Sequence, residues 1–279
     1  MKPQIVIEIA DQTFQIASYS LFIRLAAVAV IGISLIMAKQ SGLFIKSALL
    51  YFLTLAVSLL VGARLLNVFI NLPYYMEHRD QILTWKMSGF SIMGGLIAAG
   101  LAGYYLAKKK GMSPWEMADI IAPGLAIGLA MTRIGCFLNG CCFGIETSSV
   151  FGVHYPFDSF PHRYYLSENP DAFEGGNLFT AFSSPALHPT PLYEMFGSLV
   201  AAALTVFLMR KKAPKGVAFL AASSVFVATR LINHFFRIHP STNIISFWFY
   251  PSAYLLLLLV LLFLPVRQMK IKKGKKRKG

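Results

Sequence analysis

An all-α polytopic membrane protein is the fold class this sequence predicts. Of its 279 residues, 56% are hydrophobic and only 14% charged, and the mean hydropathy is +0.59. A soluble domain carries nearer a quarter charged residues (~25%). Apolar runs of about 20 residues, the length that crosses a bilayer core, recur along the chain. Reading them between charged and Gly/Pro-rich breaks predicts seven transmembrane helices over 18–38, 47–70, 89–107, 117–143, 191–209, 217–236 and 244–265.

The first ten residues include Lys2, Pro3 and Glu8 and offer neither an apolar core nor a small-residue cleavage site, so no removable signal peptide is expected before the first helix. The second runs unbroken to Ile70. The third opens at a glycine and stops before Lys108, Lys109 and Lys110, and the fourth ends in the only three cysteines of the chain. The segment 145–187 is long for a loop and carries Phe157, Phe160, Tyr164 and Tyr165, which reads as an ordered cap with an interfacial aromatic belt. Pro191 suits the first turn of the fifth helix, where a missing N–H costs nothing. The sixth and seventh helices lead into a basic tail.

Basic residues in short loops stay on the cytoplasmic face. The tail from Arg267 to Lys278 holds eight of them and no acid, and the loops on its side bring the face to 17 of the 26 lysines and arginines. The opposite loop, 145–187, carries five acids and one base, Arg163. The N-terminus is therefore expected outside and the C-terminus in the cytoplasm. One membrane domain spans 1–279, with an extracytoplasmic cap at 145–187 between helices four and five and a basic cytoplasmic tail at 267–279. The net charge of +14 fits attraction to anionic membrane lipid, and no nucleic-acid partner is expected.

Arg24, Arg64, Arg133 and Arg230 all lie inside apolar segments, and the expected topology gathers them at one depth. Glu194 is the one acid expected within the later helices and does not neutralise four guanidiniums. Arginine stays charged when buried and grips phosphate with a bidentate fork, so a phospholipid headgroup suits such a site. His188-Pro189-Thr190-Pro191-Leu192-Tyr193-Glu194 either supplies ordinary helix-entry chemistry or makes His188 a proton acceptor. Cys136, Cys141 and Cys142 lack a regular zinc spacing. They read as small packing residues, a disulfide or a transient nucleophile, and no metal is expected.

The run Arg133-Ile134-Gly135-Cys136-Phe137-Leu138-Asn139-Gly140-Cys141-Cys142-Phe143-Gly144 resembles the core motif of the bacterial prolipoprotein diacylglyceryl transferases. His188 to Glu194, Arg230-Leu-Ile-Asn-His234-Phe-Phe-Arg237, Gly62-Ala63-Arg64, Gly94-Gly95-Leu96-Ile97 and Tyr19 are similar to further motifs of that family, in family order. The resemblance implies a multi-pass inner-membrane enzyme that moves the diacylglyceryl group of phosphatidylglycerol onto the thiol of a preprolipoprotein signal peptide, releasing glycerol-1-phosphate without a cofactor. It implies catalytic roles for Arg133 and Arg230, and substrate contacts at Tyr19, Arg64, Gly94, Gly95, Asn139, Gly140, Gly144, Glu194 and Arg237. The chain departs from the family pattern at the acid/base positions. Met93 stands where a histidine is usual, Phe226 where a tyrosine is usual, Cys136 for asparagine, Cys141 for glutamate and His234 for glutamate. His188 and His234 are the candidate replacement bases. The alternative is a relative that binds phospholipid headgroups without transfer, or one that serves another acceptor.

Overall fold

The computed structural model describes residues 4–9, 12–83, 90–168, 183–238 and 247–276. Helices dominate: α1 Ser18–Gln40, α2 Ile45–Ile70, α3 Leu72–Glu77, α4 Ile92–Lys109, α5 Pro114–Asn139, α6 Phe160–Glu168, α7 Thr190–Arg210, α8 Val217–His234 and α9 Phe249–Lys276, with a 3₁₀ turn at Arg79–Leu83. Five of these, α1, α2, α5, α7 and α8, are long and apolar enough to cross a membrane, and the apolar part of α9, Phe249–Pro265, is shorter. Large apolar side chains such as Val28, Leu65, Phe196 and Phe263 are exposed on them, as bilayer-facing surfaces require. The protein is a multi-pass α-helical membrane protein.

Several boundaries differ from the sequence reading. α5 stops at Asn139 rather than 143 because Gly140 takes φ +71° and Cys142 φ +60°, the left-handed geometry that ends helices. α8 stops at His234, two residues short of expectation. The expected starts of the third and seventh helices, at residues 89 and 244, lie outside the described residues, as does 169–182 of the cap. α9 carries helix past Pro265 into the basic tail. An N-terminal antiparallel hairpin, β1 Gln4–Ile9 with β2 Gln12–Ala17, was not anticipated; it pairs Gln4 with Ala17 and Ile9 with Gln12.

The chain divides into two compact units, Ser34–Ile120 and the combination of Met1–Ile33 with Ile121–Gly279. Within the first, α2 packs along α4. The contact depends on missing side chains: a Cβ on Gly94 would run into the Gly62 carbonyl and Leu66, and one on Gly95 into the Leu59 carbonyl at 2.7 Å. Small residues let membrane helices approach closely, where dispersion and weak polar contacts replace the hydrophobic effect. Tyr51 donates to the Gly103 carbonyl at 3.2 Å across the same pair.

The second unit uses the same device. Ala126 of α5, Ala201 and Ala202 of α7 and Ala222 of α8 form a core of small side chains, and Gly197 of α7 lies against Thr229 of α8. Gly135 brings α5 against Tyr19 and Phe22 of α1. Beyond the end of α5, Phe143, Tyr155 and Leu187 build a separate aromatic and aliphatic cluster. Backbone bonds tie this region together: Gly144 N–H to the His188 carbonyl at 2.9 Å, Ile145 N–H to Phe236 at 3.0 Å, and Val153 N–H to Leu187 at 3.0 Å. The ends of α5 and α8 and the start of α7 are thereby held at one place.

Candidate active site

Glu194 sits in the first turns of α7 with only 3% of its surface exposed. A lone buried carboxylate is costly, and this one is met by guanidiniums from two other segments. Arg133 Nε of α5 lies 2.6 Å from Oε2, as an ion pair rather than an aligned hydrogen bond. Arg230 Nη1 of α8 donates to Oε1 at 2.6 Å, and Arg237 Nη1 stands 3.7 Å from the same oxygen. Asn233, one turn after Arg230 on α8, donates to Oε1 at 2.8 Å and to the Thr190 carbonyl at 3.3 Å. Three guanidiniums against one carboxylate leave two positive charges in a largely enclosed setting.

The cysteines border this cluster. Their three sulfurs lie within 4.8 Å of one another, and none is in a disulfide. Arg133 Nη1 points at Cys136 Sγ and Cys142 Sγ at 3.9 and 4.0 Å. Asn139 is the last residue of α5, between Cys136 and Cys141. Tyr19 of α1 is within electrostatic reach of Arg133 and all three thiols. Thr190 Oγ1 donates to the Cys142 carbonyl, tying the motif to the start of α7.

His188 lies just before α7, half-buried. Its Nδ1 is 2.9 Å from the Tyr193 hydroxyl and its ring 4.8 Å from that of Phe236, whose neighbour is Arg237. His234 is turned elsewhere, with Nε2 3.2 Å from the Phe247 carbonyl and its ring among Phe235, Phe247 and Tyr250. Gly140 packs on Pro161 and Tyr155 with its φ of +71°. Gly144 is close against the Phe236 carbonyl and the side chains of His188 and Thr190, so what approaches it is neighbouring protein.

The structure therefore brings Tyr19, Arg133, Asn139, Glu194, Arg230 and Arg237 together with the cysteines, and sets His188 beside them. The other candidates are placed differently. Arg64, in the other unit, donates to the Ile82 carbonyl at 3.0 Å and to that of Gln81, with its guanidinium over Tyr75 and Phe90. Gly94 and Gly95 are buried at the α2–α4 contact. Met93 is exposed, and so is Arg24. Asn233 and Tyr155 escaped the sequence reading. Asn233 is legible as a polar residue three after Arg230, on the same helical face. Tyr155 carries no such signal.

These features define a membrane protein with three arginines gathered on one buried carboxylate at the ends of packed helices. The family profile of the prolipoprotein diacylglyceryl transferases matches residues 4–268, and the chain belongs to that family. It is similar to proteins named phosphatidylglycerol–prolipoprotein diacylglyceryl transferase from Fusobacterium nucleatum (32% identity over 202 residues, 65% of this chain and 69% of that one). The same name attaches to relatives from Acaryochloris marina (32% identity, 63% of this chain and 61% of the other) and Geobacter sulfurreducens (31% identity, 66% and 62%). The aligned regions thus span roughly two thirds of the length of these relatives.

Proposed function

We propose that this chain transfers the diacylglyceryl group of phosphatidylglycerol to a cysteine thiol in a prolipoprotein signal peptide, releasing glycerol-1-phosphate. The carrying observation is the convergence of Arg133, Arg230 and Arg237 on Glu194. The substrate phosphodiester bears one negative charge, and the departing phosphate monoester bears up to two. A cluster with two positive charges in excess stabilises the second more than the first, which is the differential binding that accelerates a reaction. Glu194 holds the guanidiniums in place beforehand, so they need not reorganise as the C–O bond breaks. Arg133 and Arg230 carry the phosphate oxygens in this reading, Arg237 adds charge, and Tyr19 and Asn139 offer hydrogen bonds to the headgroup.

The acceptor must lose a proton. His188, paired with Tyr193, is the better-situated of the two histidines because His234 is engaged by Phe247. The orientation with the N-terminus outside and the site at the extracytoplasmic ends of α5, α7 and α8 puts the reaction in the outer half of a bacterial inner membrane, where a signal peptide arrives. The described parts of the cap, 145–168 and 183–187, then cover the site in this reading. A second reading, headgroup binding without transfer, is favoured by Met93 and Phe226 at positions where the family usually has proton-transfer residues.

The test expresses the chain in cells depleted of their own transferase and follows a reporter lipoprotein. The transferase reading expects the lipid-modified form to return with the parent chain and to vanish with Arg133→Ala or Arg230→Ala. A parent chain that reaches the membrane folded but never restores the modified form favours the binder.

A further inference from the structure

Cys136, Cys141 and Cys142 are the chemistry-bearing residues that the anion site leaves unused. Nothing in their sequence spacing is regular, yet the fold collects them. Cys136 lies in the last turn of α5; the left-handed residues Gly140 and Cys142 reverse the chain, and the Cys141 N–H and thiol both turn back to the Cys136 carbonyl at 3.0 and 3.5 Å. The result is three unoxidised sulfurs within 4.8 Å of one another. A tetrahedral zinc ion with Zn–S bonds of about 2.3 Å holds its sulfurs roughly 3.8 Å apart, so small side-chain rotations close the set.

The surroundings fit a bound thiolate complex. Three thiolates on a divalent cation carry one net negative charge, and Arg133 Nη1 lies 3.9 and 4.0 Å from two of the sulfurs, as a counter-ion would. The third, Cys141, turns its thiol to the Cys136 carbonyl at 3.5 Å, a hydrogen bond of the kind that orients metal ligands. An independent sign is Tyr155. It is fully buried, its hydroxyl has no partner among the described residues, and its ring lies against Gly140, next to Cys141. A buried hydroxyl left unpaired costs free energy, and a ligand group beside the sulfurs would satisfy it.

We propose that Cys136, Cys141 and Cys142 form a three-thiolate site for zinc, whose open fourth position takes the acceptor thiol of the transfer reaction. Three protein ligands and one free position is the arrangement of catalytic rather than structural zinc, and a thiol on the metal is held as its thiolate. Because the acceptor is a thiol, the inference rests on the transferase reading. It also accounts for the departures at Met93, Cys136 and Cys141: a metal acidifies the thiol that the family's usual base would deprotonate. As the acceptor sulfur binds, its proton passes to His188, the base of the transferase reading. Its lone pair then forms the C–S bond to the glyceryl carbon while the C–O bond to phosphate breaks. The electron pair departs on the phosphate oxygen toward Arg133 and Arg230. The thioether product, a poor donor, leaves the metal and reopens the position.

The experiment uses the full chain purified with reductant in phosphatidylglycerol micelles. Elemental analysis is expected to find one zinc per chain, removed by a chelator and lost in Cys136→Ser and Cys142→Ser. Retained thermal melting and phosphatidylglycerol binding in those variants separate loss of the site from loss of fold. With cobalt(II) in place of zinc, the visible bands should shift when a lipobox peptide is added and not when its cysteine is serine. Absence of metal, metal indifferent to the cysteine variants, a disulfide among the three in the isolated chain, or cobalt bands blind to the peptide thiol each overturns the proposal. Transfer undiminished by chelation sinks the zinc role and leaves the transferase standing. Metal bound at the cysteines with no transfer under any condition sinks the transferase reading and the acceptor role together.

Discussion

Replacing Glu194 by Gln removes a charge without removing a shape. The amide still offers Oε1 as acceptor to Asn233 at 2.8 Å and to Arg230 at 2.6 Å, but it no longer neutralises the guanidiniums of Arg133, Arg230 and Arg237. A hydrogen bond to a charged group is worth about 1.5–3 kcal/mol and a neutral one about 0.5–1.5. The Arg230 contact therefore loses about 1 kcal/mol, the Arg133 ion pair is lost because the new amide N–H faces another donor, and the newly unshielded repulsion among three cations adds to this. We expect about 3–5 kcal/mol of destabilisation, the range of a buried pair broken on one side. Thermal unfolding in detergent micelles should fall by several degrees. Added glycerol phosphate should then restore more stability to Glu194→Gln than to the parent, because the anion replaces the lost carboxylate charge. A variant that melts with the parent, or gains nothing extra from the anion, would refute the view that Glu194 organises the arginines.

Arg133→Lys keeps the charge but not the fork, and its transfer rate should drop by about 10²–10³ while phosphatidylglycerol binding weakens little, read from single-turnover rates beside lipid-binding titrations. Gly144→Ala should cost about 1–3 kcal/mol, seen as a lower melting temperature, because its Cβ would press on the Phe236 carbonyl and His188. Tyr155 lies in the cap, and burial pushes its hydroxyl above the ordinary tyrosine value. The protonated form is the one the fold favours, so its contribution is complete below about pH 10 and is lost as pH rises further; Tyr155→Phe should flatten that alkaline decline in melting temperature. His188→Gln should suppress transfer without loosening phosphatidylglycerol, and equal loss of both would argue that His188 serves only the fold.

What the sequence made legible follows from range. α1, α2 and α7 announce themselves as long apolar runs bounded by charge. The end of α5 does not, because Cys141, Cys142 and Phe143 continue the apolar pattern while Gly140 and Cys142 turn the backbone left-handed. The N-terminal hairpin was visible in the alternation of Ile5, Ile7 and Ile9, a strand signal that reading for membrane spans passes over. At the site, Arg133, Glu194 and Arg230 stand out as residue types that apolar helices do not carry without cause, and Arg237 enters through the family resemblance. Their meeting at one carboxylate is a matter of tertiary packing between α5, α7 and α8. The same limit hid the cysteines, whose spacing is irregular and whose sulfurs are neighbours only after the chain reverses. Arg64 shows the converse: an arginine inside an apolar helix whose guanidinium serves the carbonyls of Gln81 and Ile82.

The central claim is group transfer, and mass spectrometry of the product tests it most directly. Purified protein in phosphatidylglycerol micelles is incubated with a lipobox peptide. The account predicts a peptide carrying a diacylglyceryl thioether on its cysteine, an equal amount of free glycerol phosphate, and neither with Arg133→Ala. Unmodified peptide beside tightly bound, intact phosphatidylglycerol would contradict it and leave a headgroup-binding protein.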